Sequence, residues 1–167
     1  MPVCALNVRK KEINANPVSV RRGMTACVVL LTLIIDQASK FFISRSLSLH
    51  ESVPVIPGVF HLTLVHNRGA AFGMLKNQWF IFIGVSLAAI GYILVVLRRQ
   101  SSLLQQAALS LVLAGAAGNL IDRVALGYVV DFLDFRVWPV FNAADSAICA
   151  GAGLLVWAMI SKPKTHA

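Results

Sequence analysis

Four apolar runs, each broken off by polar or charged residues, set the plan of the chain. They cover about residues 24–43, 78–97, 103–121 and 142–160. An α-helix rises 1.5 Å per residue, so runs of this length match the ~20 residues needed to cross the ~30 Å hydrocarbon core of a bilayer. A basic stretch ahead of an apolar run also describes a cleavable signal peptide. Here the first run continues past Asp36 to Ile43 and three more follow, which predicts a retained membrane helix. Trp79 and Phe80 open the second run as interface aromatics. Small residues suited to close helix packing recur in the third run (Ala114 to Gly118) and the fourth (Ala144, Ala147, Gly151, Gly153).

The connections differ in kind. Residues 44–77 form the longest polar segment, with turns marked by Pro54, Pro57 and Gly58. Within it, Val59 to Val65 is β-prone and partly alternating, which predicts short strands lying on the membrane surface. The segment ends in Asn67-Arg68-Gly69-Ala70-Ala71-Phe72-Gly73, where small residues permit either a tight turn or a close backbone approach. Residues 122–141 link the last two runs and contain an extended piece, Val129 to Asp134. The domain reading is a basic tail over 1–22, broken by Asn14, Asn16 and Pro17, a four-span domain over 23–161, and a short tail over 162–167.

Composition confirms that this is a lipid-embedded domain. Of 167 residues, 57% are hydrophobic and 13% charged, against about 45–50% and 25% in soluble proteins. The net charge of +8 raises the question of a nucleic-acid partner, and its placement answers it. Arg9, Lys10, Lys11, Arg21, Arg22, Arg98, Arg99, Lys162 and Lys164 flank one side of the spans, opposed by Glu12. On the other side Asp36, Glu51, Asp122, Asp131, Asp134 and Asp145 are matched one for one by basic residues. The positive-inside rule places both termini in the cytoplasm and these acids toward the outer face, and it accounts for the basic balance without nucleic acid. Cys4, Cys27 and Cys149 show neither a disulfide framework nor C-x-x-C metal spacing; the latter two read as small packing residues and Cys4 as a plain tail residue.

The chemistry is concentrated between Gly115 and Asp145, where Asn119, Asp122, Arg123, Asp131, Asp134, Asn142 and Asp145 cluster at a membrane margin. Ionisable groups there are expensive to keep and are functional candidates. No H-E-x-x-H supplies zinc ligands, no G-x-S-x-G marks a serine nucleophile and no Gly-rich phosphate loop is present. His50, His61, His66 and His166 are scattered and read as solvated or loop-packing side chains. Paired carboxylates remain. Two that share a site divide one proton, and such a pair both activates water and protonates a developing oxyanion or leaving amine. Asp131 and Asp134 point to opposite faces of a strand, so Asp131 with Asp145 is the preferred pair. Against it stands a structural reading, in which these acids cap helices and pair with Arg123 and Arg136. Asp36 and Lys40, at i and i+4 in the first span, form either an ion pair or part of the site. Two other functions fit these residues: a proton or solute carrier with Asp36, Lys40 and Asp145 as relay, and an assembly subunit with Asn119, Arg123 and Asp145 as polar glue.

Five stretches in order carry a resemblance: Asp36-Gln37-Ala38-Ser39-Lys40, Asn67 to Gly73, Gly118-Asn119-Leu120-Ile121-Asp122-Arg123, Val129-Val130-Asp131-Phe132 and Phe141-Asn142-Ala143-Ala144-Asp145-Ser146. Together they closely resemble bacterial lipoprotein signal peptidase, or signal peptidase II, over about residues 24–161. Arg68 and Ala143 depart from the usual family residues. The resemblance implies a mainly α membrane protein of four transmembrane helices with a small extracytoplasmic β-cradle and a periplasmic helix. It implies an aspartic endopeptidase of the bacterial inner membrane, needing no metal or other cofactor. Such an enzyme removes signal peptides from diacylglyceryl-modified prolipoproteins, cutting before the lipidated cysteine. Its partners would be prolipoprotein substrates and membrane lipids, and it would act as a monomer. Carried over by position, Asp131 and Asp145 are the catalytic pair, Asn67, Asn119, Arg123 and Asn142 line the substrate site, and Asp36, Lys40, Gly69 and Asp122 support it.

Overall fold

A computed structural model of the chain describes residues 17–69, 79–100 and 102–161. Four long helices and three short strands follow one another as α1 (Pro17–Ser46), β1 (Ser52–Ile56), β2 (Phe60–Asn67), α2 (Trp79–Arg99), α3 (Leu103–Leu126), β3 (Val129–Asp134) and α4 (Ala143–Ile160). All four helices are long and apolar enough to cross a membrane. The chain is a multi-pass membrane protein of mainly α architecture with a small antiparallel sheet. Among the described residues no helix lies outside the four spans, so the expected periplasmic helix has no counterpart there. Residues 70–78, which include Gly73, lie outside the described residues, as do Cys4, His166, Lys162 and Lys164.

The helices run past the apolar runs that announce them. α1 starts at Pro17, inside the stretch expected to be a tail, and spans 30 residues. Proline is well placed in a first turn, where its missing N–H has no helical partner to lose, so Pro17 starts a helix here instead of breaking one. At the other end α1 reaches Ser46. α3 likewise keeps Asp122 and Arg123 helical and stops only at Gly127, whose φ of 78° and N–H to the Arg123 carbonyl form a left-handed cap. Ser102 caps its start by accepting from the Gln105 N–H.

α3 is the central helix, packed against α1, α2 and α4. Small residues set how closely. A Cβ on Gly115 would collide with the Ala144 carbonyl, and one on Gly151 would lie 2.6 Å from the Ala108 carbonyl oxygen. Ala108, Ala114 and Ala144 are fully buried in the same seam. Gly153 was grouped with these by sequence, yet a Cβ there would meet nothing. Two residues past Gly151, it has turned away from α3 on a 3.6-residue helix. Leu97, Leu109, Leu113 and Ile93 form an apolar cluster between α2 and α3. The outward faces carry exposed apolar side chains such as Ile34, Phe42, Tyr92 and Met159, as lipid contact requires. Cys27 and Cys149, read as packing residues, are exposed on these outer faces.

The sheet has the order β1-β2-β3, antiparallel throughout. β1 is the exposed outer strand, where Pro54 costs no central ladder bond. β2 starts one residue into the stretch Val59 to Val65 expected to be extended, Val59 itself lying in the preceding turn; it is the middle strand and pairs Val65 with Asp131 and Asn67 with Val129. β3 is almost wholly buried. Phe141 covers part of its free edge, its carbonyl accepting from the Phe132 N–H at 2.9 Å. The chain thus returns from α3 along β3 and enters α4 beside its own strand, which brings Asp131 to the N-terminus of α4.

Gly151→Leu is expected to overpack the α3–α4 seam at a cost of about 1–3 kcal/mol, lowering the thermal aggregation temperature in detergent, whereas Gly153→Leu leaves it unchanged.

Candidate active site

The site is built from four elements that meet at one end of the bundle. From α1 come Asp36, Gln37 and Lys40; from α3 Asn119, Asp122 and Arg123; from β2 and β3 Asn67 and Asp131; and from the start of α4 Asn142 and Asp145. Each has a local reason for its place. Asn142 is the N-cap of α4 and forms a capping box with Asp145: its Oδ1 accepts from the Asp145 N–H at 2.9 Å, and an Asp145 carboxylate oxygen accepts from the Asn142 N–H at 3.3 Å. Asp131 is carried inward by the strand alternation that turns Asp134 elsewhere. Asp134 accepts from the Thr63 hydroxyl at 2.7 Å and pairs with Arg136 at 3.0 Å.

Amides connect the two candidate carboxyl groups. Asn142 Nδ2 donates to Asp131 Oδ1 at 2.7 Å and to Asn119 Oδ1 at 3.0 Å. Asn119 Nδ2 in turn donates to Asp145 Oδ1 at 2.8 Å. Asn67 Nδ2 donates to the other Asp131 oxygen at 2.8 Å, and the Gly69 N–H holds the Asn67 carbonyl at 3.0 Å. Asp131 is 2% exposed and Asn142 fully buried, while Asp145 is only half-buried. Burial pushes the Asp131 carboxyl from 3.8 up to about 7, and the Asp145 charge adds to this against the hydrogen bonds from Asn67 and Asn142. Burial and the neighbouring Asp145 charge thus favour the protonated form of the Asp131 carboxyl.

Beneath this relay lies a buried ionic cluster. Lys40 Nζ is 2.8 Å from Asp36 Oδ2, 2.9 Å from Asp122 Oδ2 and 3.1 Å from Asn119 Oδ1. Asp36, Lys40 and Asp122 are at most 3% exposed. The remaining acceptors are filled from the backbone: Asp36 Oδ1 takes the Ala144 N–H at 2.9 Å, and Asp122 Oδ2 takes the Val130 N–H at 3.1 Å. Gln37 joins the two acids, donating to Asp36 at 3.1 Å and to Asp122 at 3.0 Å. Sequence reading missed Gln37 as a site residue, although it stands inside the first resembling stretch. Its role depends on a contact 85 positions away.

The structure thus brings all ten sequence-predicted residues together and separates their surroundings. Asn142 spends both amide protons on Asn119 and Asp131, facing the carboxyl groups and no open cleft. Arg123 is different. It is partly exposed, donates to the Asn119 carbonyl at 3.4 Å and lies 5.4 Å over the Phe82 ring. Asp122 does not pair with its neighbour Arg123 but turns to Lys40. The capping of α4 and the Asp134–Arg136 pair fulfil part of the structural reading, yet neither explains a buried Asp131.

Comparison with known proteins decides the family. The model described as signal peptidase (SPase) II matches residues 28–161. The chain belongs to the signal peptidase II family. The lipoprotein signal peptidase of Moorella thermoacetica is 50% identical over 135 residues, covering 80% of this chain and 90% of that one. That of Halothermothrix orenii is 45% identical over 134 residues, covering 80% and 92%. A bacterial membrane enzyme solved by the in meso method at 2.3 Å resolution superposes with a TM-score of 0.79 at 30% identity, covering 87% of this chain and 94% of that one. A second such structure, at 1.9 Å, gives a TM-score of 0.78 at 32% identity.

Removing the ammonium from a buried cluster leaves charge uncompensated. Lys40→Met is expected to destabilise the protein by about 3–5 kcal/mol, read as a lowered melting temperature in detergent, and to do more damage than Gln37→Leu.

Proposed function

We propose that this member of the signal peptidase II family cleaves prolipoprotein signal peptides with Asp131 and Asp145 as its catalytic pair. The observation that carries the reading is the Asn142–Asn119 relay, which joins two carboxyl groups of unequal burial, one of them favoured in its protonated form. The ionised carboxylate takes a proton from water as the water oxygen attacks the scissile carbonyl carbon. The protonated partner gives its proton to the carbonyl oxygen. Collapse of the tetrahedral intermediate returns that proton to the carboxylate, the leaving nitrogen takes the proton drawn from water, and the C–N bond breaks. The pair titrates as a unit, so the acid and base roles belong to the pair.

The surrounding residues take distinct parts. Asn67, Asn119 and Asn142 fix the carboxyl groups, Gly69 fixes Asn67, and Asp36, Lys40 and Asp122 anchor the elements that carry them. Arg123, the partly exposed cation beside the pair, donates to substrate carbonyls that lipid cannot satisfy. A substrate with a diacylglyceryl cysteine and a signal helix already resides in the bilayer and reaches the site by lateral diffusion. Its acyl chains are already out of water there, so the apolar outer faces receive them at little cost and add close packing, not a hydrophobic gain. The charge distribution supports cytoplasmic termini and a site at the outer face of the inner membrane, and the chain acts as a monomer.

Purified protein with a diacylglyceryl-modified prolipoprotein tests the pair. Asp131→Asn and Asp145→Asn are each expected to lower turnover by at least about 10²–10⁴-fold while the protein stays folded in the membrane, and a chelator leaves wild-type cleavage unchanged. Near-normal turnover by either variant would remove the pair from the mechanism; no cleavage by folded wild type, with carboxylate-dependent proton flux in liposomes, would favour a carrier.

The pH profile of kcat/KM follows from the raised Asp131 carboxyl. The singly protonated pair loses its proton as pH rises, so the alkaline limb is expected to fall around about pH 7, and protonation of the second carboxylate closes the acid side. A rate that stays flat from pH 6 to 9 would contradict this assignment.

A further inference from the structure

At the end of the bundle remote from the aspartates, a cavity of about 510 Å³ opens in the cleft between α1 and α2, floored by α3. Arg21 and Asp36 stand on one helix, and their separation along it is about 22 Å, so this cavity is no part of the site above. Its mouth carries three arginines, Arg21, Arg22 and Arg98, and no acidic side chain among the described residues lines it. Its floor is apolar, with Val29, Leu97 and Leu113. A cationic rim over a greasy floor at a membrane margin matches an anionic amphiphile.

Gln106, 5% exposed, lines the same cavity. Its Nε2 faces the Arg21 carbonyl at 3.5 Å and the Thr25 hydroxyl at 3.2 Å. A carbonyl only accepts, so the amide orientation is fixed and Oε1 is the free acceptor. Oε1 has no hydrogen-bond partner. That oxygen is enclosed by protein, so Gln106 joins α3 to α1 beneath the cavity and is not a ligand contact. The three arginines call for a phosphate.

We propose that this cavity is a binding site for an anionic phospholipid, with the phosphate on Arg21, Arg22 and Arg98 and an acyl chain along Val29, Leu97 and Leu113. Basic pockets between transmembrane helices recognise headgroups in this way. The site is separate from the substrate lipid's and holds its ligand without chemistry.

Native mass spectrometry of the delipidated full-length protein in micelles tests it. Phosphatidylglycerol is expected to bind about tenfold or more tightly than phosphatidylcholine of the same chains, and the Arg21→Gln/Arg98→Gln double variant to lose that preference. Arg98 is exposed and Arg21 partly so, and neither side chain forms a salt bridge among the described residues. Equal binding of phosphatidylglycerol and phosphatidylcholine, or full retention by the double variant, would overturn the proposal. So would glycerol phosphate binding as tightly as the lipid, since the apolar floor would then contribute nothing. Prolipoprotein cleavage measured in the same micelles should be unchanged by the double variant. Lost lipid preference in wild type with cleavage intact therefore counts against this site alone, and not against the peptidase.

Discussion

Two carboxylates and one ammonium are buried together where α1 meets α3, and a cluster of this kind tolerates little movement. A buried charge without a partner is costly, and the partners here come from different elements. Lys40 holds Asp36 on its own helix and Asp122 and Asn119 on α3. Asp36 then reaches the backbone of α4 through Ala144, and Asp122 reaches β3 through Val130. The two elements that bear Asp131 and Asp145 are thus each tied by a backbone N–H to a carboxylate of the same cluster. The close α3–α4 seam serves this end, since α4 must come near enough for Ala144 to reach Asp36. Positioning of Asp131 and Asp145 is consequently an electrostatic matter at its root and a packing matter above it.

Much of this was legible in the sequence. The four spans follow from hydropathy alone, because lipid requires long apolar helices and little else has that signature. Strand β2 follows from alternation, and the expectation that Asp131 and Asp145 lie near each other came from strand geometry together with the cost of a carboxylate in lipid; the structure links them through Asn142 and Asn119. Helix ends were less legible. Pro17, Arg98, Arg99, Asp122 and Arg123 are all helical, though no apolar pattern includes them, because helices extend through polar residues wherever backbone partners permit.

What local patterns could not show was which amide faces which acid. Asn67, Asn119 and Asn142 look alike in sequence as polar residues near carboxylates. Only long-range contacts distinguish Asn142, whose amide is wholly committed inside the relay, from Arg123, which keeps an exposed side. Gln37 and Thr63 escaped notice for the same reason: each acts on a carboxylate more than 70 positions away. The packing glycines divide likewise, Gly151 facing a backbone carbonyl and Gly153 facing open space, a distinction set by helix rotation and invisible to composition.

The free edge of β3 has one further meaning. Residues two apart on a strand point their N–H groups to the same side, and Val130 and Phe132 both have theirs engaged, by the Asp122 carboxylate and the Phe141 carbonyl. The sheet edge flanking Asp131 therefore has no backbone donors left to offer a guest strand at these positions. Many peptidases grip an extended substrate by letting it join a sheet; this one has closed that door beside its aspartates. An extended peptide meeting this face would find side chains, and no backbone ladder, at these positions.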